Sequence, residues 1–167
     1  MTETATPRHH DPAEDAERIL ADVWGPDLPV DPVRIAGTLG IRVVRAHLDP
    51  DMSGALVKEL GKDPVILLNA ADSPNRQRFS CAHEIGHFVR RSDKPEEYEY
   101  VDRRNSLSAM GRDPEEIYAN QFAASLLMPS KEVRRLHGEG LSDVQLQLRF
   151  DVSLEAMRHR LVNLGYA

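Results

Sequence analysis

The sequence holds a single cysteine, Cys81, among its 167 residues. One thiol cannot form a disulfide within the chain and fits a reducing compartment, so we expect a cytoplasmic protein. Aromatic residues make up only 5% of the chain, and no run of about 18 apolar residues occurs that could cross a membrane. The N-terminal residues are polar and acidic, which argues against a secretory signal.

Basic residues are outnumbered, with 21 lysines and arginines against 27 aspartates and glutamates and a net charge of -6. Because non-specific affinity for nucleic acid grows with the number of basic residues that neutralise phosphates, this balance argues against direct binding to DNA. Hydrophobic residues nevertheless make up 41% of the chain. That share suits one folded domain, or a domain with a small appendage.

Hydrophobic periodicity divides the chain into three parts. Residues 1–10 show no pattern and predict a disordered tail, whereas 11–129 combine helical and strand patterns typical of one domain. Residues 130–167 contain three short helical patterns, which predict a helix-turn-helix-like segment packed on that domain. The polar stretch 92–112 is long for a connection and predicts a functional loop or a lid. The predicted strands are Ile41–Arg45, Gly54–Leu60 and Pro64–Asn69.

The strongest pattern lies in a predicted helix over about residues 75–90 and reads His83-Glu84-Ile85-Gly86-His87. Residues four apart on a helix lie about 40° apart around its axis, so both imidazoles project from one face. From there they can bind one zinc ion at about 2.0–2.1 Å each. Glu84, beside the first histidine, can reach a water molecule at the metal and take its proton as a general base.

A catalytic zinc needs a third protein ligand and an open fourth position. In the next predicted helix, Asp113–Leu127, Glu116 and Asn120 are four residues apart and share a face. If Glu116 binds zinc, Asn120 can accept a hydrogen bond from the outer nitrogen of a ligating histidine. Asp113 and Glu116 also have the spacing of a capping box, in which Glu116 would only cap the helix. The spacing alone leaves both interpretations open.

These residues resemble the ImmA/IrrE family of metallopeptidases, in which an H-E-x-x-H motif is followed by a helix of pattern E-x-x-A-N-x-F-A-x-x-L-L-M-P. The matching residues in this second helix are Glu116, Ala119, Asn120, Phe122, Ala123, Leu126, Leu127, Met128 and Pro129. The lead-in Arg78-Phe79 and the C-terminal stretch 152–165 are also similar to the family pattern. The resemblance therefore covers about residues 12–165, nearly the whole chain.

The resemblance implies that His83, His87 and Glu116 bind the metal and that Glu84 is the general base. It implies a zinc-dependent endopeptidase, with manganese as an alternative metal in the cell. Its substrate would be a helix-turn-helix transcriptional repressor, cleaved to relieve repression in a mobile element or a stress response. We expect an α+β, zincin-like fold, with a small three-stranded antiparallel or mixed sheet packed on the H-E-x-x-H helix and the glutamate-bearing helix, and with short C-terminal helices.

Two other functions stay open. The protein could be a regulatory binding module with a structural or vestigial metal, in which residues 142–164 contact a repressor or DNA. It could also be the toxin of a toxin–antitoxin pair built on the same site. An intact Glu84 weighs against a vestigial site, since a structural zinc has no use for a base. For a peptidase, we expect the substrate to lie along the edge of Pro64–Asn69 or of Gly54–Leu60, beside the zinc helix.

Overall fold

The computed structural model describes residues 9–93, 100–105 and 113–166, and these form an α+β fold, as expected. The helices are α1 (Pro12–Val23), α2 (Pro32–Thr38), α3 (Pro74–Arg91), α4 (Pro114–Leu127), α5 (Ser130–Gly138), α6 (Asp143–Phe150) and α7 (Leu154–Asn163). The strands are β1 (Arg42–Ala46), β2 (Met52–Lys58), β3 (Val65–Asn69) and β4 (Tyr100–Asn105). Among the helices in these ranges, none is long and apolar enough to cross a bilayer.

The sheet is mixed, with the strand order β1-β3-β2-β4. Strands β1 and β3 are parallel, whereas β2 runs antiparallel to both of its neighbours. The three predicted strands are present, and β4 adds a fourth within the stretch 92–112, where we expected a functional loop or a lid. The rest of that stretch, 94–99 and 106–112, lies outside the described residues.

The fourth strand changes which strands are edges. Both β2 and β3 are paired on two sides, so the expectation that one of them offers a free edge to the substrate is wrong. Among the described strands, β1 and β4 are the edges. The segment Tyr100–Asn105 has the sequence YVDRRN. Its three charged residues interrupt the alternation of apolar and polar residues that predicts a strand. Charged residues are common on edge strands, where they discourage pairing with other chains.

Helix α3 packs against strands β2 and β3 of the sheet and against α4. The sheet residues Leu56, Ile66 and Leu68 are fully buried, and so is Ile85 of α3. The same hydrophobic core includes Val133, Leu136, Leu146, Phe150, Val152 and Met157 from the C-terminal segment. Helices α5–α7 therefore share one core with the helices that carry the motif.

Arg78 ties the C-terminal segment to the start of α3. Its guanidinium donates hydrogen bonds to the carbonyl oxygens of Val30 at 2.8 Å and of Asp151 at 3.0 Å. Asp151 lies between α6 and α7 and has a left-handed backbone with φ of 54°. Because a long, partly buried side chain bonds two separate backbone segments, the turn between these helices is held against α3.

A buried carboxylate joins the N-terminal helix to α4. Asp15 of α1 is 2% exposed and accepts a hydrogen bond of 2.6 Å from the hydroxyl of Tyr118. Arg18 and His10 also contact the Asp15 carboxylate, at 2.7 Å and 2.8 Å. Burial raises the pKa of Asp15, but the hydrogen bonds from these three residues outweigh it and hold the pKa below its usual range. His10 therefore makes specific contacts at the end of the predicted tail, and residues 1–8 lie outside the described part of the chain.

We expect Tyr118→Phe to lower the free energy of unfolding by roughly 1.5–3 kcal/mol, because it removes a hydrogen bond to a buried charged group. Urea-induced unfolding followed by circular dichroism measures the loss. Tyr166→Phe is the matched control, since its hydroxyl does not belong to the Asp15 network, and we expect a change within about 0.5 kcal/mol. Equal losses in the two variants would show that the Tyr118–Asp15 bond does not stabilise the fold.

Candidate active site

Helix α3 presents both histidines of the motif to the interior. Ser73 caps its N-terminus by accepting a hydrogen bond from the Arg76 backbone N–H, and Pro74 occupies the first turn. The helix continues to Arg91 without a break, so His83 and His87 lie one turn apart on one face, as the spacing predicted. Their exposed fractions are only 1% and 3%.

Helix α4 brings Glu116 to these histidines. Asp113 caps the helix by accepting a hydrogen bond from the Glu115 backbone N–H. The Glu116 carboxylate contacts both imidazoles, with Oε2 at 3.2 Å from His83 Nε2 and Oε1 at 2.9 Å from His87 Nε2. Asp113 provides the cap, and the contacts of Glu116 with both histidines put it where it could bind a metal ion, so its role as a ligand stays a prediction.

The spacing of the three donor atoms fits a divalent metal ion. The two Nε2 atoms of His83 and His87 lie 3.1 Å apart, similar to their distances from Glu116. Ligands at about 2.0–2.1 Å from a tetrahedral centre are about 3.3–3.4 Å from one another. Two imidazole nitrogens and a carboxylate are also ligand types that zinc prefers. His83, His87 and Glu116 could thus bind one metal ion.

Asn120 fixes the orientation of one imidazole. Its side-chain oxygen lies 2.9 Å from His83 Nδ1. Because an amide oxygen only accepts hydrogen bonds, Nδ1 of His83 donates to it, and Nε2 is the ring nitrogen that faces Glu116. This contact is the one we expected for Asn120 if Glu116 was a ligand.

The electrostatics of the site keep Glu116 ionised. Burial raises the pKa of Glu116, but its hydrogen bonds with His83 and His87 more than offset this and lower the pKa to about 2. A carboxylate must be deprotonated to bind a metal ion, so its charge state at neutral pH suits this role.

Glu84 lies beneath strand β2, beside Gly54 of that strand. The carboxyl group is fully buried. A Cβ atom on Gly54 would lie 3.7 Å from Glu84 Oε1 and only 3.0 Å from the carbonyl oxygen of Leu67. The pairing of β2 with β4 is also irregular between Met52 and Gly54. We did not single out Gly54 in the sequence, although a glycine inside a predicted strand is a sign of close approach.

Gly86, inside the motif, lets the two ligand-bearing helices approach closely. A Cβ atom at this position would lie 3.2 Å from the Ala119 Cα and 3.1 Å from Phe122 Cδ1 on α4. Gly86 precedes His87, and Ala119 precedes Asn120, so this close helix contact is next to the donor atoms. The small residues at 86 and 119 therefore set the distance between the histidines and Glu116.

Comparison with known proteins agrees with this geometry. The family model of the IrrE N-terminal-like domain, peptidase M78, matches residues 36–162. The chain belongs to this family. A solved structure titled Mycobacterium tuberculosis transcriptional regulator has a similar fold, with a TM-score of 0.64 and 23% identity over 92% of this chain. The match takes in 46% of that regulator, so the present chain spans about half its length. No curated protein matches the chain.

The family match extends beyond the predicted domain boundary at residue 129. It includes α5 and α6 entirely and nearly all of α7. This range agrees with the shared hydrophobic core, to which all three helices contribute buried side chains. The peptidase M78 unit thus includes the C-terminal segment.

We expect Gly86→Ala to lower the free energy of unfolding by roughly 1–3 kcal/mol, because the added methyl group meets the α4 backbone and forces the helices apart. The dissociation constant for zinc should rise, since the same shift separates the donor atoms. Chemical denaturation and competitive zinc titration measure the two effects.

Gly37→Ala in α2 is the matched control, because a Cβ atom there meets nothing within 4 Å. That variant should be stabilised by up to about 1 kcal/mol through helix propensity, with unchanged zinc affinity. If Gly86→Ala behaves in the same way, the close approach at Gly86 does not control the site.

Proposed function

We propose that the protein is a zinc-dependent endopeptidase that cleaves a helix-turn-helix transcriptional repressor. The observation that carries the proposal is the meeting of the Nε2 atoms of His83 and His87 with the two carboxylate oxygens of Glu116, at 2.9–3.2 Å. Glu84, next to His83 in the chain, supplies a carboxylate of the type that such enzymes use as a base. The peptidase M78 family supports the reaction class.

The chain's own residues divide the chemistry between them. When bound, a zinc ion supplies Lewis-acid chemistry, which activates a water molecule and polarises the scissile carbonyl group. His83, His87 and Glu116 would hold the ion and leave a fourth position open to water and substrate. Manganese could occupy the same donor set in the cell, because carboxylate and imidazole also bind it.

Glu84 would move the proton. Its carboxylate accepts the proton of the attacking water and passes it to the amine nitrogen when the peptide bond breaks. Asn120 would keep His83 in the tautomer that presents Nε2 to the metal.

A repressor substrate is supported by two lines of argument. Members of the ImmA/IrrE family, which this chain resembles, often act on helix-turn-helix repressors, and the similar solved structure is titled a transcriptional regulator. The net charge of -6 argues that such regulation acts through a protein rather than by direct contact with DNA. We place this activity in the cytoplasm, where repressors bind DNA.

We expect Glu84→Gln to keep bound zinc and to cleave at least about 100-fold more slowly, because glutamine cannot accept the proton. The measurement uses zinc-loaded protein with a proteome-derived peptide library and with helix-turn-helix proteins encoded near its gene. Cleavage is followed by mass spectrometry, and metal content is measured on the same samples.

Glu139→Gln, an exposed position after α5, is the matched control and should retain both zinc and cleavage. A Glu84→Gln variant that cleaves as fast as the wild type would contradict the assigned role of Glu84. A zinc-loaded wild type that binds a repressor without cleaving any substrate would favour a binding module over a peptidase.

A further inference from the structure

A cleft of about 530 Å³ lies between α3, α4 and the C-terminal helix α7. This volume is in the range of pockets that bind small ligands. The cleft does not include the metal-binding group, because His83, His87 and Glu116 are not part of its lining. Asn120 lines the cleft, but it contacts His83 at Nδ1, the ring nitrogen that faces away from Glu116 and His87. The cleft is therefore separate from the candidate metal site.

Part of the lining is apolar. Phe79 of α3, Ala124 of α4, Met128 and Ala156 of α7 contribute to it. Met128 is 1% exposed, and the other three side chains pack against the hydrophobic core. A ligand with an apolar group would remove this surface from water, which favours binding. Since Phe79 is aromatic, a ring is a suitable group to lie against it.

Arg160 of α7 brings a positive charge to the cleft. Its Nε donates a hydrogen bond of 3.0 Å to the carbonyl oxygen of Met128. Among the residues that the structure describes, none forms an ion pair with this guanidinium. Burial lowers the pKa of Arg160, and the charge of Arg134 lowers it further, while Glu17 opposes this. Because a partly buried charge without a direct partner is unfavourable, an anion in contact with the guanidinium would be stabilised.

The end of the cleft around Arg160 suits a negatively charged group. Ala156, Arg160 and Asn163 are four and three residues apart, so they share one face of α7. His159 lines the cleft as well and is exposed. Glu155, an acidic residue of the lining, is at the N-terminal end of α7, roughly 7.5 Å from Arg160 along the helix axis. The apolar wall of Ala156 therefore leads to a basic and polar end.

We propose that this cleft binds a small amphipathic carboxylate, with its acid group on Arg160 and its apolar group against Phe79 and Ala124. The bond to Met128 uses Nε, which leaves the terminal nitrogens of the guanidinium as donors for the carboxylate. This site goes beyond the proposed peptidase function and does not depend on it, because the lining contains none of the three residues that could bind a metal ion.

Two probes with opposite charge and the same apolar group test the site. 4-Phenylbutyrate and 4-phenylbutylamine both carry a phenyl ring on an alkyl chain, and calorimetry on the zinc-loaded protein gives both dissociation constants. We expect the carboxylate to bind roughly tenfold more tightly, because only it accepts hydrogen bonds from Arg160. Saturating acetohydroxamate, which binds zinc, should leave the dissociation constant of 4-phenylbutyrate unchanged.

Asn163→Glu adds a carboxylate on the Arg160 face of α7 at an exposed position, so it should remove the preference for 4-phenylbutyrate without disturbing the core. Val162→Glu is the matched control, since Val162 is 64% exposed and does not line the cleft. Arg160→Gln should also lose the preference, whereas Arg158→Gln, at an exposed position outside the lining, should retain it. If Arg160→Gln misfolds, Asn163→Glu decides.

No binding of 4-phenylbutyrate to the wild type, or equal affinity for the two probes, would overturn the site and leave the proposed peptidase untouched. A preference that persists in Asn163→Glu would also overturn it. Displacement of 4-phenylbutyrate by acetohydroxamate would do the same, because the carboxylate would then lie at zinc. A wild type that binds 4-phenylbutyrate with the expected preference but takes up no zinc would contradict the metal centre alone.

Discussion

The close approach of α3 and α4 at Gly86 is the constraint on which the site depends. Any side chain at this position would meet the backbone of Ala119 at 3.2 Å. The contact lies beside His87 and Asn120, so the separation of the two helices sets the distances between the histidines and Glu116. Buried helices pack with little free volume, and a shift at this point would be transmitted directly to the donor atoms.

The rest of the fold supports the close approach of α3 and α4 from three sides. Strand β2 covers Glu84, whose carboxyl group lies near Gly54. On the N-terminal side, Asp15 accepts the hydrogen bond of Tyr118 and so ties α1 to α4. The C-terminal helices complete the core, with Phe150 and Met157 fully buried. The three side chains that could bind a metal ion are in this way held by contacts from the whole length of the domain.

Much of the candidate site was predictable from the spacing of its residues in the sequence, because residues four apart on a helix share a face. The spacing of His83 and His87 led directly to their shared face, and Asn120 lies where its spacing from Glu116 placed it. Features that depend on tertiary contact were missed. Strand β4 has a polar sequence, and it pairs with β2, which is far away in the chain. The cleft that Phe79 and Ala156 line together could not be foreseen either, since these residues are far apart in the chain.

Metal content tests the account's central claim most directly. Wild type, Glu116→Ala and the neighbouring control Glu115→Ala would be purified identically without chelators and analysed by inductively coupled plasma mass spectrometry. The account predicts about one zinc ion per chain in the wild type and in Glu115→Ala, and none in Glu116→Ala, because a catalytic zinc site is built from three protein ligands. Zinc retained in Glu116→Ala, or a wild type that binds no metal ion, would contradict it.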